Sequence, residues 1–365
     1  MQIQAAVVHE KGGSFVLQEL TLDPPREDEV VVRLEGVGIC HTDLVCRDQY
    51  FPVPLPCVFG HEGSGTVQAV GSKVTKVKPG DSVVLTFDSC GHCMPCRTGR
   101  PSYCHDLYGH NFSGGRVDGS SAWSRGEGRV NGHFFHQSSF GTHALARERN
   151  TVKVESKLPL HLLGPLGCGV QTGAGAIMNA LSAPAGSSIA IFGCGTVGLS
   201  AVMGAAAVGC TTIIAIDVLA ARLELARTLG ATHVINSKND DPIAAVRRLS
   251  GGAGVPYALE CTGLPHVVRQ AVDSLALTGI AGVLGVSPLG TEVALDLNAI
   301  LFGRTVRGII EGDSRPDSFM PALLDLQAQG RFPFERLIKT YPFKQINEAV
   351  HATERGEVVK AVLTF

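Results

Sequence analysis

IFGCGTVG, residues 191–198, sets Gly193, Gly195 and Gly198 at G-x-G-x-x-G spacing. In a chain with 44 glycines that spacing alone says little, so its surroundings decide. The apolar run SSIAIFG leads into it, and TVGLSAVMGAAAVG follows with helical character. Asp217 closes the next apolar run, TTIIAID, 19 residues after Gly198. In a strand–turn–helix unit each glycine has a task. Gly193 permits a tight turn, Gly195 lets backbone approach a pyrophosphate, and Gly198 lets the helix pack on the sheet. The helix start offers unpaired N–H groups to phosphate. Asp217 is placed to accept from ribose hydroxyls and to repel a 2′-phosphate, which favours NAD over NADP. The nearby Arg222 softens that preference.

Moving outward, strands and helices alternate. LAARLELARTLG, PIAAVRRLSG and PHVVRQAVDSLALTG read as helices between the strands ATHVINS, PYALECTG and GIAGVLGVS. Apolar strands alternating with helices imply a parallel sheet covered on both faces. The first 150 residues differ. EVVVRLEGVGIC, GTVQAVG and the Pro-Gly turn of KPGDSVVLTF read as short strands. Residues 109–140, polar and Gly-rich, read as one long loop. After about residue 313 a helical stretch, KQINEAVHATERG and a last strand VVKAVLTF complete the chain. The organisation expected is a doubly wound parallel sheet over 170–312, inserted in a β-rich domain formed by 1–169 and 313–365.

Residues 158–216 contain no Asp, Glu, Lys or Arg. Pro165, Pro184, recurrent glycines and scattered polar residues mark this run as globular core rather than a membrane span. A net charge of −2 shows no basic excess for nucleic acid or anionic lipid. The N-terminus carries no secretory pattern, so a cytoplasmic location is expected. There, clustered cysteines are more often metal ligands than disulfides.

CGHCMPCRTGRPSYC places Cys90, Cys93, Cys96 and Cys104 at C-x2-C-x2-C-x7-C spacing. Four thiolates can close one tetrahedral, structural zinc shell. Iron–sulfur ligation is a rival and disulfide pairing a weaker one. His92 and His105 read as loop residues. Outside this loop stand Cys40 and His41 in GICHTD, His61 and Glu62 in GHEGSGTV, and Cys168 in GCGVQTGAGA. Mixed Cys/His ligation from separate segments is how a catalytic zinc is held, although isolated cysteines are often small buried hydrophobes.

These motifs, in this order, resemble the zinc-dependent medium-chain alcohol dehydrogenases over nearly the whole chain, and aryl-alcohol dehydrogenases most. The resemblance implies a Rossmann sheet inserted in a GroES-like catalytic domain, and two zinc ions per chain. It implies a catalytic zinc on Cys40, His61 and Cys168, with Glu62 near the metal and Asp43 behind the histidine. It implies that Thr42 takes the alcohol proton and that hydride passes to NAD. Val45 stands where many relatives carry a relay histidine. His41, in a slot that contacts cofactor pyrophosphate, is the alternative proton acceptor. Lys360 matches a basic pyrophosphate-contacting position. Phe51 matches a pocket-wall position and Phe87, just before the cysteine loop, lies near another; aromatic walls suit an aromatic or allylic primary alcohol. A geraniol-type substrate is the close rival, and S-(hydroxymethyl)glutathione a weaker one. A nucleotide-binding redox sensor is the non-enzyme alternative, free to lose the ligands retained here. The expected partners are a small alcohol or aldehyde and further copies of the chain, as a dimer or tetramer. Neither nucleic acid nor membrane is expected.

Overall fold

The computed structural model describes all 365 residues. It divides into two compact units. The first comprises Met1–Cys168, Arg315–Leu324 and Glu335–Phe365; the second comprises Gly169–Ser314 and Asp325–Phe334.

The second unit is built on six parallel strands. Their spatial order is His233–Asn236, Thr212–Asp217, Ser188–Phe192, Val255–Glu260, Leu275–Val283, Thr305–Gly308. In sequence rank this is 3-2-1-4-5-6, the doubly wound order whose reversal lies beside the first strand. Ile189–Phe192 and Ile213–Ile216 are buried throughout, as apolar strands covered on both faces must be. Helix Thr196–Val208 follows the first strand and stops at Gly209, whose φ of 86° is the left-handed conformation that ends helices. Helix Pro242–Leu249 starts on Asp241, whose carboxylate accepts from the N–H groups of Ile243 and Ala244. Thr305–Gly308 and His233–Asn236 are the two edges of the sheet.

The first unit holds two β-sheets. One runs Cys57–Val58, Gln2–Val8, Val16–Leu22, Trp123–Arg125, Gly128–Val130. The other centres on Glu29–Gly38, which pairs with Gly63–Val70, His143–Arg147 and the terminal strand Lys360–Thr364. Phe59, Trp123, Phe134 and Phe140 are among its most buried side chains. The stretch 109–140 is not a single loop. It includes the end of helix Leu107–Asn111, the hairpin Trp123–Arg125/Gly128–Val130 and the turn Phe134–His136. Hairpin pairing with Val16–Leu22 supplies the order that hydrophobic periodicity does not show. No helix of the molecule is long and apolar enough to cross a membrane.

Candidate metal centres and active site

Strand Glu29–Gly38 ends where Ile39 and Cys40 turn the chain into helix His41–Arg47. Cys40 is extended, with φ −114° and ψ 154°, while His41 already begins the helix. Their side chains therefore diverge. His41 is exposed, whereas Asp43 and Val45 are buried. Asp43 reaches back to cap the helix, accepting from Cys40 N–H at 2.9 Å. Its other oxygen accepts from Gly60 N–H at 3.1 Å and from His61 Nδ1 at 2.8 Å. This fixes the His61 tautomer and turns Nε2 away from Asp43.

His61 Nε2 is fully buried with no hydrogen-bond partner. Such an atom is costly unless something binds it. Ligand atoms of Cys40, His61, Glu62 and Cys168 all lie within 4.8 Å of one another. Two thiols and an imidazole with its far nitrogen on a carboxylate make a donor set that fits zinc. The Cys40 thiol is held well below its usual range by a hydrogen bond with Cys168, against burial, with His61 adding to the effect. Burial pulls His61 down, but the Asp43 and Cys40 charges carry it well above the usual imidazole range. Zinc therefore competes with a proton at this histidine. Thr42 Oγ1 lies 3.7 Å from Cys40 Sγ, beside the ligands.

Glu62 is fully buried, and burial pushes its carboxyl up while Lys360 pulls it back. Lys360 Nζ donates to both Glu62 oxygens, at 2.9 and 2.8 Å, and to Ile39 O at 3.0 Å. Its three donors are all used, so contact with a pyrophosphate requires giving one up. Space for Glu62 comes from Gly38, where an added Cβ would lie 1.9 Å from Oε2.

The four-cysteine loop brings its sulfurs together as two close pairs, Cys90–Cys96 at 4.0 Å and Cys93–Cys104 at 3.9 Å. Zinc–sulfur bonds of about 2.3 Å set tetrahedral edges of roughly 3.8 Å, so these spacings fit one ion. The N–H groups of Cys93 and Cys90 point at Cys90 Sγ and Cys104 Sγ, both at 3.3 Å, as thiolate ligands require.

In the second unit, Gly193 has φ 93°, and a Cβ on Gly198 would lie 1.8 Å from Gly193 O. Nothing crowds Gly195 within 4 Å, so backbone there is open to close approach. Asp217 Oδ2 accepts from Cys194 N–H at 2.6 Å and Oδ1 from Leu219 N–H at 2.8 Å. Arg222 Nη1 lies 3.5 Å from Cys194 O.

Phe51 belongs to an aromatic belt that ends on the histidine. It meets Phe112 at 4.7 Å and Tyr108 at 5.7 Å; Phe112 meets Phe135 at 5.1 Å. Phe135 stacks on the His61 ring at 4.2 Å and 21°. The sequence reading missed Phe135, Phe112 and Tyr108. Their one signal was the Phe-Phe pair at 134–135 inside an otherwise polar stretch. Phe87 makes no ring pair with the belt, though it shares its buried cluster with Phe134 and Phe135, and it also lines a cavity with Cys96, Arg149 and Arg315. The adjacent Thr86 donates to Gly167 O, at 2.7 Å, one residue before Cys168.

Comparisons with known proteins agree with this geometry. Residues 26–156 match the alcohol dehydrogenase GroES-like domain and residues 196–329 the zinc-binding dehydrogenase domain. The chain is 50% identical to a geraniol dehydrogenase of Castellaniella defragrans, over 99% of this chain and 97% of that one. A crystal structure of a benzyl alcohol dehydrogenase from Acinetobacter calcoaceticus is 48% identical, with a TM-score of 0.97, covering 100% and 99% of the two chains. A zinc-binding alcohol dehydrogenase protein from Burkholderia ambifaria is 51% identical with a TM-score of 0.98, again covering 100% and 99%. Carrying both domains and the thiol–imidazole centre between Cys40 and Cys168, the chain belongs to the zinc-dependent medium-chain alcohol dehydrogenases.

Proposed function

We propose that this alcohol dehydrogenase oxidises aromatic and allylic primary alcohols reversibly to aldehydes with NAD, and that benzyl-type alcohols are its main substrates. The observation that carries the substrate class is the belt from Phe51 through Phe112 to Phe135, stacked on His61. Flat aromatic walls favour a planar ring or conjugated chain over a short aliphatic alcohol. The names of the relatives bracket the same class, one a geraniol dehydrogenase and one a benzyl alcohol dehydrogenase. Geraniol-type substrates are therefore the second reading.

Two zinc ions per chain are part of this reading: a catalytic one on Cys40, His61 and Cys168, and a structural one on Cys90, Cys93, Cys96 and Cys104. When bound, zinc supplies Lewis acidity toward the substrate hydroxyl, and the dinucleotide supplies the hydride acceptor. The protein residues orient and move the proton. Asp43 fixes the His61 tautomer. Thr42, beside Cys40, takes the alcohol proton at Oγ1. His41 lies one helical turn before the buried Val45 and offers the next acceptor, besides its reading as a pyrophosphate contact. Gly193, Gly195 and Gly198 cradle the pyrophosphate, and Asp217 selects the ribose hydroxyls, tempered by Arg222. Lys360 positions Glu62.

The reading includes a homo-oligomer, dimer or tetramer. Its support is the exposed apolar band at the edge strand Thr305–Gly308, where Leu297, Leu301 and Phe302 are 81%, 78% and 61% exposed. A cytoplasmic location is part of the reading, and the cysteine cluster Cys90, Cys93, Cys96 and Cys104, placed as metal ligands, suits it.

The test is NADH formation by metal-replete protein with benzyl alcohol, geraniol and ethanol. The highest kcat/KM is expected with benzyl alcohol. A preference for ethanol would overturn the substrate class, and turnover only with NADP would overturn the cofactor.

A further inference from the structure

Two arginines from outside the four-cysteine loop, Arg149 and Arg315, share a cavity with its Cys96 and Gly99 and lack carboxylate partners. Arg116 and Arg147, in the same unit, are fixed on Glu29 and on Asp28 and Asp88. Arg149 and Arg315 make no ion pair, and the nearby Asp317 is taken by Lys76. Both guanidiniums face the loop. A Cβ on Gly91 would lie 2.1 Å from Arg149 Nη2 and 2.2 Å from its Cζ, so that guanidinium rests on the backbone between Cys90 and Cys93. A Cβ on Gly99 would lie 3.1 Å from Arg315 Cζ and 3.2 Å from its Nε. Arg149, Arg315, Cys96 and Gly99 line one cavity of about 470 Å³.

The position of Arg149 is imposed from both sides. It sits in the turn Glu148–Asn150. Arg147, just before it, donates to Asp88 Oδ2 at 3.1 Å, and Asn150 donates to Thr86 O at 3.1 Å. Both anchors belong to the segment after strand Ser82–Leu85 that leads into Cys90.

Charge decides what two such cations do here. Four thiolates around a divalent ion leave a formal charge of about −2. Arg149 and Arg315 offset that charge from the cavity side, while Arg97 and Arg100 within the loop are exposed and do not line the cavity. We propose that Arg149 and Arg315 are the cationic partners of the four-thiolate site, and that their charge slows the loss of its zinc. The proposal rests on the reading of Cys90, Cys93, Cys96 and Cys104 as a zinc site.

Zinc release from the intact enzyme to a chromogenic chelator, at fixed pH, tests it. Arg149→Met with Arg315→Met keeps much of the side-chain bulk and removes both charges. Release of the structural zinc is expected to be roughly tenfold faster, the equivalent of about one pKa unit of lost thiolate stabilisation. Arg149→Lys with Arg315→Lys should restore most of the wild-type rate. Raising salt should speed release from wild type and have little effect on the methionine pair, because screening acts on charges and not on packing. Unchanged release from the methionine pair would overturn the proposal, as would lysine variants as fast as methionine variants. If the double variant does not fold, the single variants and the wild-type salt series decide. Elemental analysis separates the two levels. Zinc that is lost entirely in His61→Ala, leaving none in the loop, overturns the loop reading itself; loop zinc whose release is indifferent to these charges overturns only the arginine assignment.

Discussion

Lys360 grips both carboxylate oxygens of Glu62, at 2.9 and 2.8 Å, in a pair with almost no solvent contact. The charges of Glu62 and Cys40 raise the lysine against the effect of burial. Removing one member of a buried pair strands the other charge, at a cost of about 3–5 kcal/mol. Lys360→Met should therefore lower the denaturant midpoint strongly. Lys360→Met with Glu62→Gln should recover most of that loss. A single variant as stable as wild type would mean the pair contributes nothing to folding.

Asp43 serves three donors: Cys40 N–H, Gly60 N–H and His61 Nδ1. Asp43→Asn puts an NH2 where acceptors are needed and loosens the histidine. Catalytic zinc affinity should fall roughly 10–100-fold, with the four-cysteine zinc unaffected. Competition with a graded chelator series reads both sites. Loss of both metals together would contradict their separation.

How much of this was legible in the sequence depends on range. The ligand-type residues and the glycine loop announce themselves because local spacing constrains them: Cys90 to Cys104 span one loop, and Gly193 to Gly198 one turn. The Glu62–Lys360 contact joins residues 298 apart and no local pattern encodes it. Phe87 lies beyond strand Ser82–Leu85, where no strand parity tells which way its ring points. Phe135 escaped notice because it stands at φ 50° in an irregular turn, where neither helical nor strand periodicity applies.

Phe135→Ala removes the ring stacked on His61. An aromatic contact of about 0.5–1.5 kcal/mol corresponds to roughly a three- to tenfold change. KM for benzyl alcohol should rise by that factor or more, while KM for ethanol changes little. An equal rise for both alcohols would point to distortion of the metal centre instead of a lost substrate wall.

Acid sensitivity should trace in part to His133. It is buried against Trp123, with ring centroids 4.6 Å apart, and Nε2 accepts from Ala122 N–H at 3.3 Å. Burial, followed by the charges of His136 and Arg116, holds it well below the usual imidazole range. The unfolded chain then binds a proton below about pH 6.5 that the folded chain refuses. Stability is full above that pH and declines as pH falls below it, by up to about 1.4 kcal/mol per pH unit. His133→Gln keeps an acceptor for Ala122 and removes the titration. Between pH 7 and pH 5 its thermal midpoint should fall less than that of wild type. Parallel declines would assign the acid sensitivity elsewhere.

Strand Thr305–Gly308 lies at an edge of the six-stranded sheet, and Leu297, Leu301 and Phe302 stand exposed in the chain just before it. Such an edge invites pairing with another copy unless charge protects it. Phe302→Glu with Leu301→Lys introduces buried charge into any interface formed there. Sedimentation velocity should then show a smaller species than wild type at the same concentration. The cysteine and histidine ligands all lie in the first unit, so zinc content should stay at the wild-type level. A wild-type protein that already sediments as a monomer would remove the oligomer from the proposed function. An unchanged oligomer in the double variant would place the contact on another face.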